Sequence, residues 1–446
     1  MPYKTGLAAL TFIGLIIAPQ YVPALAQYKT FDPASIKKIV DLPVRLPAEV
    51  PAEDTSPEAL GARLQAQVPK NLVDPAHELD HFYAALQKGS ARILHYGDSP
   101  TTGDLITADA RAALQKQFGD AGSGFALMAR PWAWYNHRGV DMDSSGWAID
   151  VAGTQTEVKD GMHGLGGASF RGSVGAAARF SLKSPHTVVE IAYLSQPDAG
   201  DFTVEADGSL LGTVETAGEA KKPGFAAFNV PNGARKFVVK VTRGQVRVYG
   251  ADFRRAPNGV VYHSLGVNGA NVTLLSRAFN GAHWSAELRH YKPDLVIINY
   301  GTNESGYPTF VEGTWGQEVK NAVKRVQAAL PDTSILLMSP MDRGERKKNG
   351  SIDTITAMPS LVKIEEGVGQ DTGVAFFNTF QAMGGPGTMG RWYASEPRLV
   401  GADFIHPMPA GAKIVGELLA GALRDGYNDY KLRQLKKAVV QTASKE

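Results

Sequence analysis

Three short, predominantly apolar runs most constrain what this chain can fold into: Ala91–Tyr96 (ARILHY), Leu295–Asn299 (LVIIN) and Ser334–Ser339 (SILLMS). A strand that is apolar on both faces has no side to give to water, so it belongs inside a sheet covered above and below. Val374–Asn378 is a fourth run of this kind. Between and around them the spacing predicts helices over Ile106–Phe118, Trp315–Leu330 and Pro409–Leu423. Another starts at Asp74-Pro75, carries Leu79, Phe82, Tyr83 and Leu86 at three- and four-residue spacing, and ends near Gly89. Alternating strands and helices predict an α/β fold, a mainly parallel sheet with helices on both faces in three layers.

Residues 129–258 break that alternation. Glycine becomes frequent, helical periodicity disappears, and short runs rich in β-branched residues (Thr187–Tyr193, Asp201–Ala206, Lys236–Val241, Val246–Tyr249) lie between turn signals. This stretch is expected to be an inserted all-β sandwich, dividing the α/β domain into a first part, 74–128, and a second, 259–430, with a tail at 431–446. Upstream, Lys4, the apolar run Leu7–Ala18 and the small-x-small triplet Ala24-Leu25-Ala26 read as a secretory signal over 1–26, with a mature start at Gln27. Pro19 interrupts the run short of the roughly 20 apolar residues that span a bilayer, so no stable membrane span is expected after cleavage. A proline-rich arm, 27–73, follows it.

Composition narrows the chemistry. Lys and Arg number 46 against 44 Asp and Glu, leaving a formal charge of +2 with no basic block, which gives no reason to expect a nucleic-acid partner. The chain has no cysteine, so a covalent mechanism would have to use Ser, Thr or a carboxylate. His95, His263, His283 and His290 stand in or beside apolar or helical stretches without zinc-ligand spacing, and no metal or other cofactor is expected. The aromatic residues Trp132, Trp134 and Tyr135 could stack on sugar rings or simply fill a core.

Ser99 stands on a tight turn between the Ala91–Tyr96 strand and a helix, where a hydroxyl can be presented at the edge of a sheet. Gly97–Asp104 (GDSPTTGD), Leu265–Gly269 (LGVNG), Gly301–Glu304 (GTNE) and Asp403–His406 (DFIH) resemble, in order, the four sequence blocks of the SGNH/GDSL hydrolase family. The resemblance implies that family's flavodoxin-like three-layer α/β/α fold and a serine esterase. It makes Ser99 the nucleophile, His406 its general base and Asp403 the group that orients the imidazole. It assigns the oxyanion hole to the backbone N–H groups of Ser99 and Gly269 and the side-chain amide of Asn303, with Gly266 a less favoured alternative donor. Two positions depart from the family pattern: Glu304 stands where Asp is common, and Pro100 follows the serine. Asp98 reads as a structural anchor of the turn.

Signal, first block and β insertion together are similar to bacterial O-acetylesterases acting on peptidoglycan or exopolysaccharide, in which the inserted module resembles a carbohydrate-binding domain. The resemblance therefore implies a periplasmic or secreted enzyme, an acetylated polysaccharide substrate, and a functional link to a membrane O-acyltransferase or polysaccharide synthase; Trp132 and Trp134 are the candidates for contacting such a substrate by stacking. An O-acetyltransferase using the same residues, a catalytically inactive polysaccharide-binding scaffold and a lipase all remain open at the level of sequence.

Overall fold

The computed structural model describes residues 71–153, 158–255 and 257–443, with side chains described through 437. The expected signal, 1–26, and the arm up to residue 70 lie outside the described residues. Strands run in chain order β1 (Leu72–Val73), β2 (Ser90–Gly97), β3 (Gly122–Leu127), β4 (Val140–Val151), β5 (Ala168–Ser195), β6 (Asp201–Ala206), β7 (Ser209–Glu215), β8 (Lys222–Arg243) and β9 (Gln245–Arg254). They continue as β10 (Gly259–Gly266), β11 (Leu295–Asn299), β12 (Ser334–Met338), a small hairpin of β13 (Gly344–Arg346) and β14 (Ile352–Thr354), and β15 (Ala375–Phe377). The helices that matter below are α1 (Asp80–Gln87), α2 (Ser99–Thr102), α3 (Ile106–Phe118), α4 (Gly281–Tyr291), α5 (Gly316–Ala329), α6 (Met358–Thr372) and α7 (Pro409–Ala443).

The main sheet has the order β1-β15-β12-β11-β2-β10. Its four pairings from β15 through β10 are parallel, and the short β1 runs antiparallel on the β15 edge. The apolar runs behave as a strand's two-residue period demands. Leu94, Tyr96, Val296, Ile298, Ile335, Leu337 and Phe376 pack into the core on one face. Their neighbours Ile93, Leu295, Ile297, Leu336, Met338, Ala375 and Phe377 pack into the core on the other. Helices α4, α5 and α6 cover the first face through residues such as Trp284, Val323 and Leu361. Helices α1, α3 and α7 cover the second through Phe82, Ala110, Val415 and Leu419. Each fully buried aliphatic or aromatic side chain stabilises such a layer by roughly 1.5–3 kcal/mol, which is why runs apolar on both faces settle in mid-sheet.

Between β2 and β10 the chain builds an all-β region of order β3-β9-β5-β8-β6-β7, with β4 alongside β5. The 28-residue β5 bends at the register breaks between Ser181 and Val188, and its two ends both pair with β9. Phe170, Phe180, Ile191, Phe202, Phe237, Val248 and Phe253 fill this region and join the same core as the α4–α6 face. The α/β and all-β parts lie in one compact unit, Gly61–Glu446.

The element ends differ from expectation in four places, each for a local reason. The all-β region begins with β3 at Gly122 rather than at 129, because Gly122–Leu127 pairs with β9. The last residues of the proline-rich arm form β1 against Phe376 and Phe377. Helix α1 starts at Asp80: the Asp74 carboxylate accepts the Glu78 and Leu79 N–H groups and closes a separate turn ahead of it. Helix α7 runs past Leu423 through most of the expected tail, because Tyr427 and Tyr430 pack on Tyr83 and Arg433 makes a two-pronged contact with Asp80 at 2.8 and 2.6 Å. Among the described residues no helix is long and apolar enough to cross a membrane.

Candidate active site

In a parallel sheet of this order the chain leaves β2 and returns first on one side of it, as β10, and then on the other, as β11. That reversal opens a crevice at the carboxyl ends of the strands. Ser99 follows β2, Gly269 follows β10 and Asn303 follows β11, so three of the residues picked from sequence meet there. Ser99 is the first residue of α2, whose early N–H groups have no preceding carbonyl to bond. Pro100 costs nothing in that first turn, since its missing N–H would be unsatisfied anyway. Close packing holds the turn: a side chain at Gly266 would put its Cβ 2.1 Å from the Thr102 nitrogen. Gly266 is therefore a packing glycine, and the Val267 N–H next to it donates to the Gly97 carbonyl at 3.1 Å.

The fourth segment arrives from the other end of the chain. The Ser99 hydroxyl donates to His406 Nε2 at 2.8 Å, and His406 Nδ1–H donates to Asp403 Oδ2 at 2.6 Å. A carboxylate facing Nδ1 fixes the proton there and leaves the Nε2 lone pair for the hydroxyl. Asp403 Oδ1 accepts the Ile405 and His406 backbone N–H groups, both at 3.1 Å. Burial pushes the Asp403 carboxyl up, but the His406 bond and these two N–H groups outweigh it and hold the group below the usual carboxylate range. Both side chains are 48% exposed, so their attraction is screened and its chief effect is orientation. The loop keeps its shape through Phe404, whose backbone is left-handed at φ 57° while its ring is buried edge-on against Tyr393. Burying that ring offsets a backbone cost of roughly 1–2 kcal/mol.

Gly269 has φ 69° and open space where a side chain would stand, so its backbone faces the crevice unobstructed. Asn303 Nδ2 donates to the Ala270 carbonyl at 2.8 Å, which aims the amide along the same wall and leaves its second N–H over. Glu304, noted in the sequence only as a departure from the family pattern, fastens the two loops together. Its buried carboxylate accepts the Val272 N–H at 2.8 Å from the Gly269 side and the Gly301 N–H at 3.1 Å from the Asn303 side. Asp98 does not cap the helix of its turn with its side chain; it is buried and bonded to Thr302, and its Oδ2 has no partner among the described residues.

Burial drives both of these acids upward, Glu304 to about 7 and Asp98 to about 6. Raised acids hold protons in the folded chain that the unfolded chain releases. Their stabilising contribution is complete below the unfolded values near 4 and is lost as pH rises through 6 to 7. Glu304→Gln keeps one acceptor and removes the charge. It is expected to flatten the fall in unfolding free energy between about pH 4 and 8, by on the order of 3 kcal/mol. Equal pH slopes in denaturant titrations of the two proteins would rule this out.

The two tryptophans separate. Trp134 is 57% exposed and its indole N–H donates to Asn268 Oδ1 at 3.2 Å, placing its ring beside Gly269. Trp132 is half-buried against the core, and the Tyr135 hydroxyl is buried and accepts the Leu127 N–H. His95, His263 and His283 are buried on protein partners, and His290 stacks on Phe225 and bonds Glu190. No group of acidic or histidine side chains placed to hold a metal occurs among the described residues. A cavity of about 540 Å³ is lined by Gly269, Asn303, Glu304, Tyr307, Phe310 and Arg343, among others. Nothing in the sequence singled out Arg343, because its surroundings come from three separate loops.

Fold and constellation together resemble those of SGNH hydrolases. Residues 234–414 match the GDSL-like Lipase/Acylhydrolase family, a span that holds Gly269, Asn303, Asp403 and His406 and leaves Ser99 outside it, beyond the β insertion. A solved structure described as a peptidoglycan O-acetylesterase in action superposes with a TM-score of 0.69 at 21% identity, over 81% of this chain and all of the other. A family two carbohydrate esterase from Clostridium thermocellum, in complex with cellohexaose, aligns with a TM-score of 0.26 at 15% identity, over 61% of this chain and 97% of the other. None of the curated proteins matches.

Proposed function

We propose that the chain is an exported serine esterase that removes O-acetyl groups from a polysaccharide, peptidoglycan or an exopolysaccharide. The observation that carries this reading is the unbroken relay from Ser99 Oγ through His406 to Asp403, at 2.8 and 2.6 Å. Ser99 Oγ attacks the acetyl carbonyl while its proton passes to His406 Nε2. The carbonyl oxygen, now negative, is received by the Ser99 and Gly269 N–H groups and the Asn303 amide. Collapse of the adduct breaks the bond to the sugar oxygen, which takes the proton from His406 and leaves. Water then adds to acetyl-Ser99, again giving a proton to His406, and acetate departs as Ser99 recovers its hydrogen. The half-exposed His406 gives water ready access, which favours hydrolysis over transfer to a second sugar. The exposed ring of Trp134 at the rim supports a sugar substrate. The signal read in residues 1–26 supports action outside the cytoplasm.

Acetate release tests the reading. The enzyme is expected to hydrolyse 4-nitrophenyl acetate and to release acetate from an O-acetylated glycan among peptidoglycan, alginate, xylan and cellulose acetate. Activity on the nitrophenyl ester with none on any glycan would remove the substrate assignment and leave the esterase. Asn303→Ala is expected to lower kcat by roughly 10²- to 10³-fold with a smaller change in KM, since the lost donor acts on the transition state. A KM effect alone would take Asn303 out of the oxyanion hole.

A further inference from the structure

Arg343, like Arg92 and Arg325, is half-buried and bonded to a backbone carbonyl but to no carboxylate among the described residues; of the three it is the one at the candidate site. Arg111, Arg247 and Arg254 each face a carboxylate at 2.6, 2.8 and 3.2 Å. Arg343 forms no ion pair among the described residues. Its Nη1 donates to the Thr302 carbonyl at 2.8 Å and lies 3.4 Å from the Ser305 hydroxyl, while Nη2 and Nε have no acceptor among the described residues. A half-buried guanidinium with donors to spare is an anion site in waiting, because its fork matches a carboxylate.

Its position says which anion. Arg343 stands on the wall of the 540 Å³ cavity that Gly269 and Asn303 also line, within the roughly 300–1,000 Å³ typical of small-molecule sites. Glu304 shares that wall, but both of its oxygens are occupied by Val272 and Gly301. Tyr307, 69% exposed, and Phe310 supply ring faces on the remaining side. The backbone at Arg343 is fixed: its carbonyl accepts the Ile355 N–H at 2.8 Å, and the next residue, Gly344, donates to the Phe404 carbonyl at 2.9 Å in the loop that carries Asp403 and His406. The guanidinium is thus held at a set place relative to both the oxyanion donors and the relay.

We propose that Arg343 anchors a carboxylate carried by the acylated sugar unit, so that the substrate is an acidic glycan rather than a neutral one. The carboxylate takes the free Nη2 and Nε donors while the ring lies against Tyr307 and the ester carbonyl reaches Gly269 and Asn303. This rests on the esterase reading above. A carboxylate of this kind occurs on a uronic acid or on the lactyl-peptide arm of a muramyl unit, and the chemistry at Arg343 is the same for both.

The test is a ratio. Wild type and Arg343→Gln and Arg343→Lys variants are assayed for kcat/KM on acetylated uronate oligosaccharides and on acetylated muramyl peptides, each as free acid and as its neutral methyl ester or amide. In at least one arm the wild type is expected to prefer the free acid by roughly 10- to 100-fold, the worth of a charge-assisted hydrogen bond. The arm that shows the preference names the source. Arg343→Gln should bring the ratio near one and Arg343→Lys should keep part of it. A structural role through Thr302 lowers both rates together and leaves the ratio unchanged, so that outcome overturns the proposal, as does a wild-type ratio near one in both arms. If no substrate is hydrolysed, calorimetric binding of the deacetylated acids against their neutral forms decides: acid-selective binding lost in Arg343→Gln upholds the anchor while the esterase reading falls, and equal binding removes the anchor.

Discussion

Ser99→Ala is expected to lower kcat/KM for 4-nitrophenyl acetate by on the order of 10⁴- to 10⁶-fold without lowering the thermal midpoint. Under the proposed mechanism the substitution removes the atom that forms the acyl-enzyme. The residue is half-buried on a turn whose shape is held by Gly97, Gly266 and the Thr102 to Asp98 backbone bond, so the fold keeps its supports. His406→Ala should cost a similar factor, and the double variant little more than either alone, because the two act as one unit. Activity within about tenfold of wild type in either single variant would sink the relay.

Asp403→Asn is the second large effect, expected at roughly 10³- to 10⁴-fold in kcat. The reason lies in the loop. Asp403 Oδ1 already accepts two backbone N–H groups, from Ile405 and His406. An asparagine there must keep its carbonyl oxygen on those donors, which turns its NH₂ toward His406 Nδ1. That fixes the wrong tautomer, with the proton on Nε2 pointing at Ser99. Asp403→Asn should therefore be no more active than Asp403→Ala, where the imidazole is free to choose. An asparagine variant clearly faster than the alanine one would show that charge, not orientation, is what Asp403 provides.

Much of the candidate site was legible in the sequence because the blocks of Ser99, Gly269 and Asn303 lie at strand ends, and strands apolar on both faces are easy to find. Ala91–Tyr96 and Leu295–Asn299 fix where the chain stops and turns, and thus where Ser99 and Asn303 emerge. Helix Ile106–Phe118 was found at its observed ends, and Leu295–Asn299 likewise. The continuation of α7 past Leu423 was not, because it depends on Tyr83 and Asp80, far away in the chain. Glu304 looked like a mere substitution until its two backbone donors, from loops after different strands, were brought to it. The two tryptophans are two residues apart and alike in sequence, yet Trp132 packs against the core while Trp134 is exposed and bonded to Asn268.

Sequence by itself determined the layers, which follow from residue type and local period, and its resemblance to the SGNH blocks singled out Ser99, Gly269, Asn303, Asp403 and His406 as candidates. Tertiary structure alone decided what surrounds them: that Ser99 and His406, 307 residues apart, meet at 2.8 Å, that Glu304 clasps the loops carrying Gly269 and Asn303, and that Arg343 reaches the cavity without a carboxylate partner among the described residues. Local propensity acts over a few residues, whereas a buried charge or a free guanidinium is defined by neighbours that only the packed chain brings near.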